Sequence, residues 1–140
     1  MKKVLVSACL LGENCKYSGG NNYNQKIIDY LKDVEVIPVC PEQLGGLATP
    51  RKPAEIVNGI VSTEDGISVD YEFHLGAQKV LEMIKEQEID FAILQARSPS
   101  CGTKQIYDGT FTKTLIEGQG ILAKLLREQG IRLVDSSDFD

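Results

Sequence analysis

Four short apolar runs, separated by segments with helical periodicity, constrain the fold of this chain more than any other feature. They occupy residues 4–6, 34–40, 91–94 and 131–134. Each run is bounded by polar or turn-forming residues and has the length of a buried strand. Strands that alternate with helices pair in parallel through right-handed crossovers, and helices then cover both faces of the sheet. We therefore predict an α/β fold, with a single Rossmann-like domain over residues 1–140.

Local signals place further elements around this sheet. Asn58-Gly59 lies between apolar residues, which predicts a small β-hairpin outside the main sheet. Pro38 has no amide donor, so the second strand is predicted to lie at an edge of the sheet. Asn21 or Asn22 is expected to cap the first helix.

The composition excludes several classes of function. The net charge is −5 and no run of Lys and Arg occurs, which argues against a basic surface for nucleic acid. No apolar stretch has the length of a membrane span, and residues 1–3 lead directly into the first strand, so we expect no signal peptide and a cytoplasmic location. Residues 135–140 are interpreted as an acidic tail. In a reducing cytoplasm the four cysteines are expected to bind metal or to catalyse a reaction instead of forming disulfides.

Three cysteines follow the ends of predicted strands. Cys9 and Cys40 follow the first and second strands, and Cys101 follows the third. Open parallel sheets bind ligands beyond the carboxyl ends of their strands, so the fold is expected to bring these thiols together. Thiolates bind soft metals, and zinc and an iron–sulfur cluster are the two leading candidates. The chain has no C-x-x-C pair typical of structural zinc sites, and three ligands leave one coordination position open unless Cys15 occupies it.

The loop after the third strand, Ser98-Pro99-Ser100-Cys101-Gly102, carries two hydroxyls and a thiol. Its proline restricts the backbone of the preceding residue as well as its own φ, and its glycine allows a close backbone approach. A loop this polar and this restricted favours a functional site. The alternative is a free cysteine in an ordinary turn.

A catalytic thiol is a further possibility. Cys9 at the end of the first strand resembles the start of the phosphate-binding loop of small tyrosine phosphatases, C-x-x-x-x-x-R-S/T. Cys15 occupies the arginine position and Lys16 follows it. Lysine lacks the planar fork that binds a phosphoryl group, which disfavours a phosphatase. A thiol-redox protein that uses Cys9 and Cys15 stays open as a third function.

Six motifs occur in order along nearly the whole chain: Ser7-Ala8-Cys9-Leu10-Leu11-Gly12, Cys40-Pro41-Glu42, Gly45-Gly46-Leu47, Pro50-Arg51, Ser98-Pro99-Ser100-Cys101-Gly102 and Ile106-Tyr107-Asp108-Gly109-Thr110-Phe111. Together they resemble the family that includes thiouracil desulfidase, long catalogued as a domain of unknown function. The resemblance implies a 4Fe–4S cluster held by Cys9, Cys40 and Cys101, with the fourth iron free to take sulfur from a thiolated nucleobase. Ser18 and Gln95 depart from the family's pattern, in which an aspartate and a lysine are expected, and both departures bear on the substrate pocket.

The resemblance also implies a hydrolytic, non-redox removal of sulfur from a 2-thiouracil-like pyrimidine or a related thioamide. The open iron would polarise the carbon–sulfur bond as a Lewis acid, and hydrosulfide would leave. Glu42 is expected to activate water as a general base of raised pKa. Ser98 and Ser100 are expected to orient the water or the base carbonyls, and Arg51 to contact the substrate. The alternatives for Glu42 are a solvated turn residue or a carboxylate at the start of a helix. The alternative for Arg51 is a clamp on a backbone carbonyl.

The main competing function is a non-catalytic carrier of metal, cluster or sulfur. A carrier would need the three cysteines but not Glu42. The absence of a basic surface favours a small thiolated nucleobase over transfer RNA as the partner. Because one iron would face solvent, the cluster is expected to be oxidised easily and to be lost from protein handled in air. His74, the single histidine, and Asp108 are interpreted as a partly exposed structural residue and a turn residue.

Overall fold

The computed structural model of the protein describes residues 2–140. Its strands are β1 (Lys3–Ser7), β2 (Glu35–Val39), β3 (Ala54–Val57), β4 (Ile60–Thr63), β5 (Phe91–Leu94), β6 (Gln105–Tyr107), β7 (Leu115–Glu117) and β8 (Leu133–Asp135). Its α-helices are α1 (Gln25–Tyr30), α2 (Pro41–Leu44), α3 (Asp70–Ile84) and α4 (Ile121–Glu128). Two 3₁₀ turns, Ala8–Leu11 and Ser136–Phe139, follow β1 and β8.

A four-stranded parallel sheet in the order β2-β1-β5-β8 forms the centre of the fold. The two inner strands, β1 and β5, are almost completely buried, and β2, which contains Pro38, lies at an edge as predicted. Alternate residues of β1 face opposite sides of the sheet. Leu5 packs with α3 and α4, whereas Val4 and Val6 pack with α1. Helices thus cover both faces, and the predicted α/β fold is confirmed.

Two small antiparallel hairpins lie outside this sheet. In the first, β3 pairs with β4 around Asn58-Gly59, whose φ angles of 50° and 82° are those of a primed hairpin turn. This hairpin was predicted. The second pairs β6 with β7 and places a loop, residues 108–114, at its tip.

Two local predictions were wrong. The cap of α1 is Asn24, whose Oδ1 accepts a hydrogen bond from the Ile27 amide at 3.2 Å, and Asn22 is used elsewhere. The predicted acidic tail is folded, since Asp135 ends β8 and is buried. Its carboxylate accepts a hydrogen bond from the Thr103 hydroxyl at 2.7 Å, which offsets the cost of burying the charge.

Across residues 2–140, no helix combines the length and the apolar character needed to cross a membrane.

The backbones of α2 and α3 touch each other through glycines. A Cβ at Gly76 of α3 would lie 1.8 Å from the Pro41 carbonyl oxygen, and one at Gly45 would lie 1.9 Å from the Glu72 carbonyl oxygen. Because α2 follows Cys40 directly, this contact also determines where that thiol and Glu42 lie.

Gly76→Ala is therefore expected to destabilise the protein, although alanine normally favours a helix over glycine by about 1 kcal/mol. Overpacking costs roughly 1–3 kcal/mol, and a clash with a backbone oxygen belongs at the upper end of that range. We therefore expect a net loss of about 2 kcal/mol in the free energy of unfolding, measured by urea denaturation. Gly20→Ala is the matched control, because a Cβ there would lie 3.5 Å from its nearest neighbour. Equal stability of Gly76→Ala and wild type would contradict the close approach.

Candidate metal centre and active site

A cavity of about 570 Å³ opens at the carboxyl edge of the sheet, and all four cysteines line it. Cys9 lies in the 3₁₀ turn after β1, and Cys40 is the residue between β2 and α2. Cys101 belongs to the turn that follows β5. Cys15 reaches the same cavity from the loop after Cys9. All four are free thiols, so the structure brings together the three cysteines that the sequence predicted to meet and adds the fourth.

The thiols of Cys9, Cys15 and Cys40 lie close enough to shift one another's pKa values. The Cys40 thiol donates a hydrogen bond to the Cys15 carbonyl oxygen at 3.7 Å. The neighbouring Cys15 thiol is the main cause that lowers the pKa of Cys9, with a further contribution from the Asn22 amide, and it also lowers the pKa of Cys40 to about 7. The pKa of Cys15 itself is raised in return.

Cys101 is in a different environment. It is buried, and burial raises the pKa of its thiol. Ser98 stabilises the turn that carries Cys101. Its Oγ accepts hydrogen bonds from the backbone amides of Ser100 and Cys101, each at 3.0 Å. Both acceptor positions of the Ser98 hydroxyl are thus used within the turn. Its proton remains available to the cavity, which Ser98 lines.

Ser100 does not line this cavity, contrary to the expectation that it contacts substrate. It is fully buried, and its hydroxyl has no hydrogen-bond partner among the described residues. Its carbonyl oxygen instead accepts the amides of Leu122 and Ala123, at 2.9 and 3.1 Å. The turn that directs Cys101 toward the cavity thus uses the Ser100 backbone to hold the start of α4.

Glu42 and Arg51 form a nearly buried ion pair in the cavity wall. The Arg51 Nη2 lies 2.8 Å from Glu42 Oε2, and the side chains are 11% and 17% exposed for Arg51 and Glu42. Burial raises the pKa of the Glu42 carboxyl, and the Arg51 guanidinium opposes this shift. Glu42 Oε1 has no hydrogen-bond partner within residues 2–140. The solvated turn residue considered for Glu42 is therefore not what the structure shows.

Arg51 clamps backbone carbonyls, as one of its two interpretations expected. Its guanidinium donates to the carbonyl oxygens of Cys15 and Ala48, at 3.0 and 3.1 Å, and to the Thr49 hydroxyl at 3.0 Å. It thereby connects the Cys15 loop to Glu42. Arg51 also lines the cavity, so its contact with substrate stays a prediction.

Several residues at the site were not found from the sequence. Asn22 donates to the Cys9 sulfur at 3.4 Å and accepts from Lys16 at 3.4 Å. Tyr107 and Phe111 line the cavity from the second hairpin. The motif around the two aromatic residues was noticed, but no local pattern indicated which way their side chains point.

The two departures from the family pattern differ in importance. Gln95 lines the cavity, whereas Ser18 is exposed and lies outside its lining. His74 lies half exposed on α3, with Nε2 3.4 Å from an Asp70 carboxylate oxygen, which fits the structural role predicted for it. Asp108 accepts the Thr110 amide at 3.0 Å and is a turn residue as predicted.

The donor set of the cavity fits an iron–sulfur cluster. Such clusters are held by cysteine thiolates, and the cavity of about 570 Å³ is lined by thiols that follow three different strands. Within residues 2–140, no group of three or more His, Cys, Asp or Glu side chains is placed to hold one metal ion.

A parallel α/β sheet that carries three thiols and a buried carboxylate to one cavity is the arrangement expected of an α/β enzyme whose metal centre is held by thiolates. Residues 4–138 match the model of the 2-thiouracil desulfurase family, and the chain belongs to that family. The resemblance inferred from the six motifs, and the prediction that the chain is an enzyme, are confirmed.

Two individual proteins are similar to this chain over nearly its full length. The chain is 37% identical to the uncharacterized protein YbbK of Bacillus subtilis strain 168, over 147 aligned positions that cover 98% of this chain and 97% of YbbK. It also superposes on the solved structure of the 4Fe–4S-dependent thiouracil desulfidase TudS with a TM-score of 0.91. That pair is 39% identical and covers 99% of this chain and 93% of TudS.

Proposed function

We propose that this protein hydrolyses the carbon–sulfur bond of a thiolated pyrimidine, such as 2-thiouracil, with a 4Fe–4S cluster held by Cys9, Cys40 and Cys101. The observation that carries the proposal is the meeting of these three thiols with the Glu42 carboxylate around one cavity. Membership of the 2-thiouracil desulfurase family and the likeness to TudS support it.

The proposed ligand set is the three cysteines that follow strand ends, and the donor chemistry of the site supports it. Metal-binding thiols must be deprotonated, and the pKa is lowered at Cys9 and Cys40 but raised at Cys15. Cys101 is the third thiol on the cavity wall, and metal binding would overcome the pKa increase that burial causes. Cys9, Cys40 and Cys101 would hold the cluster, which would supply Lewis-acid chemistry toward a soft thiocarbonyl sulfur.

Glu42 is the general base of the proposed reaction. Its Oε2 is held by Arg51, which leaves Oε1 to accept a proton from water. The raised pKa of its carboxyl brings it closer to the pH at which it must take and release that proton. Ser98 donates a hydrogen bond from its hydroxyl to a carbonyl oxygen of the substrate or to the water. Arg51 positions Glu42, and Ser100 supports the Cys101 turn from behind.

The overall reaction conserves electrons. Water contributes its oxygen to the carbon that carried sulfur. One water proton passes to Glu42 and then to solvent, and the other leaves with the sulfur as hydrosulfide. The products are the oxo-pyrimidine and hydrosulfide, and neither an oxidant nor a reductant is consumed.

The test is turnover of 2-thiouracil by anaerobically reconstituted protein in ¹⁸O-labelled water, with no added reductant. We expect uracil and sulfide in equal amounts and one ¹⁸O atom in each uracil. Turnover that requires a stoichiometric reductant, or uracil without the label, would contradict hydrolysis. A loaded protein that releases no uracil would instead favour the carrier, for which the buried Glu42–Arg51 pair has no role.

A further inference from the structure

The loop at the tip of the second hairpin, residues 108–114, reaches the cavity from outside the main sheet. Phe111 lines the cavity, together with Tyr107 at the base of the loop and Lys113 near its end. None of these residues takes part in the proposed hydrolysis, yet they line the space that a substrate would occupy.

Phe111 is held in a backbone conformation that a bulky residue rarely adopts. Its φ is 58°, and that of Lys113 is 62°, both in the left-handed region. Such a conformation costs on the order of 1–3 kcal/mol and persists only where the surroundings enforce it.

The surroundings that enforce it include a carboxylate from the other hairpin. Glu55 of β3 accepts the backbone amides of Gly109 at 3.0 Å and of Phe111 at 3.2 Å, and it too lines the cavity. Gly109, with a φ of 92°, lets the loop lie directly on β3, because a Cβ there would stand 2.6 Å from the Ile56 carbonyl oxygen. Two hairpins far apart in sequence are thus fastened together at the cavity wall.

We propose that the Phe111 ring contacts the substrate by stacking on a face of the thiolated pyrimidine, and that Glu55 is the residue that positions it. This inference rests on the proposed function. Ser98 and Gln95 offer hydrogen bonds to the polar edge of a pyrimidine, whereas its flat faces need an apolar, planar partner. A phenyl ring provides such a partner without an unsatisfied polar atom.

The first test separates substrate binding from chemistry. Base–aromatic stacking predicts that Phe111→Ala and Phe111→Leu raise KM for 2-thiouracil by about 5- to 100-fold, with iron content unchanged and kcat within about threefold. Phe111→Tyr keeps the ring and should restore KM. Ile116→Ala on the exposed face of β7 is the control and should match wild type. Wild-type KM in both Phe111→Ala and Phe111→Leu would overturn the proposal.

The second test detects the contact directly. The chain contains no tryptophan, so Phe111→Trp introduces a single reporter. We expect its fluorescence to fall with saturable dependence on 2-thiouracil. Tyr71→Trp, at a side chain that is 73% exposed and outside the cavity lining, should show only the linear loss caused by ligand absorbance. A linear response in both proteins would contradict stacking at Phe111.

The role of Glu55 is tested by comparing two substitutions. Glu55→Gln keeps an acceptor oxygen for both amides and should retain wild-type KM, whereas Glu55→Ala should raise KM as Phe111→Ala does. In the Phe111→Ala background, Glu55→Ala should not raise KM any further. A full additional increase in KM would show that Glu55 does not act by positioning Phe111. Failure of the proposed function can be distinguished from failure of this inference, because in the first case wild-type protein would release no uracil at all.

Discussion

Glu42→Gln is expected to lower kcat for 2-thiouracil by about 10²–10⁴-fold, the usual contribution of a general base, while iron and sulfide content stay at the wild-type level. Glutamine keeps an oxygen at hydrogen-bonding distance from Arg51 but does not accept a proton from water. The shape of the wall and the three thiols are unchanged. The loss should therefore appear in kcat, measured under anaerobic conditions with protein of matched iron content.

The control for Glu42→Gln is Glu64→Gln, which removes an exposed carboxylate at the rim of the same cavity. This variant should keep kcat within about twofold of wild type. Full activity in Glu42→Gln would remove the carboxylate from the mechanism and would leave water activation to another group. Loss of the cluster in Glu42→Gln would show that the residue acts on assembly of the metal centre, which also contradicts its role as general base.

Arg51→Met is expected to lower the free energy of unfolding by about 3 kcal/mol, as is typical when one partner of a buried pair is removed. The guanidinium donates to four acceptors, on Cys15, Ala48, Thr49 and Glu42. Methionine fills a similar volume but satisfies none of them, and it leaves the Glu42 carboxylate unpaired in a largely buried position. The measurement is urea denaturation of the reduced protein without cluster.

A double-mutant cycle identifies the source of that loss. In the Glu42→Gln background, Arg51→Met leaves no charge unpaired. It should therefore lower the free energy of unfolding distinctly less in that background than in wild type. Arg51→Lys keeps the charge but loses the planar fork, and it should fall between wild type and Arg51→Met. An equal cost of Arg51→Met in both backgrounds would attribute the loss to the backbone carbonyls alone.

The strand-end rule was sufficient to bring the cysteines together, and the reason is geometric. Parallel strands end at one edge of a sheet, so Cys9 and Cys40 were expected at the same edge once β1 and β2 were recognised, and the pairing of β1 with β2 makes them neighbours. Cys101 follows from the same rule, since β5 pairs with β1 on its other side. Hydrophobic periodicity therefore predicted the fold, and together with the strand-end rule it predicted that these three cysteines reach one edge of the sheet.

Contacts between loops could not be predicted from strand ends or hydrophobic periodicity. Asn22 approaches Cys9 because the loop that follows Cys9 turns back, so that the Asn22 backbone amide donates to the Cys9 carbonyl oxygen at 2.9 Å. No hydrophobic periodicity encodes this contact. Glu55 and Phe111 are 56 positions apart and meet only because two hairpins dock. Asp135 was assigned to a tail because its charge suggested solvent, whereas Thr103 supplies the hydrogen bond that allows it to be buried. In each case a partner distant in sequence decided the outcome.

A 4Fe–4S cluster bound by three of the four cavity thiols is the basis of the proposed chemistry. It is best tested by determining iron and acid-labile sulfide after anaerobic reconstitution of wild type and of each Cys→Ala variant. We predict about four irons and four sulfides per chain in wild type, a loss of the cluster in Cys9→Ala, Cys40→Ala and Cys101→Ala, and retention in Cys15→Ala. Wild-type protein that takes up no iron, or that binds zinc instead, would contradict the assignment of this cluster.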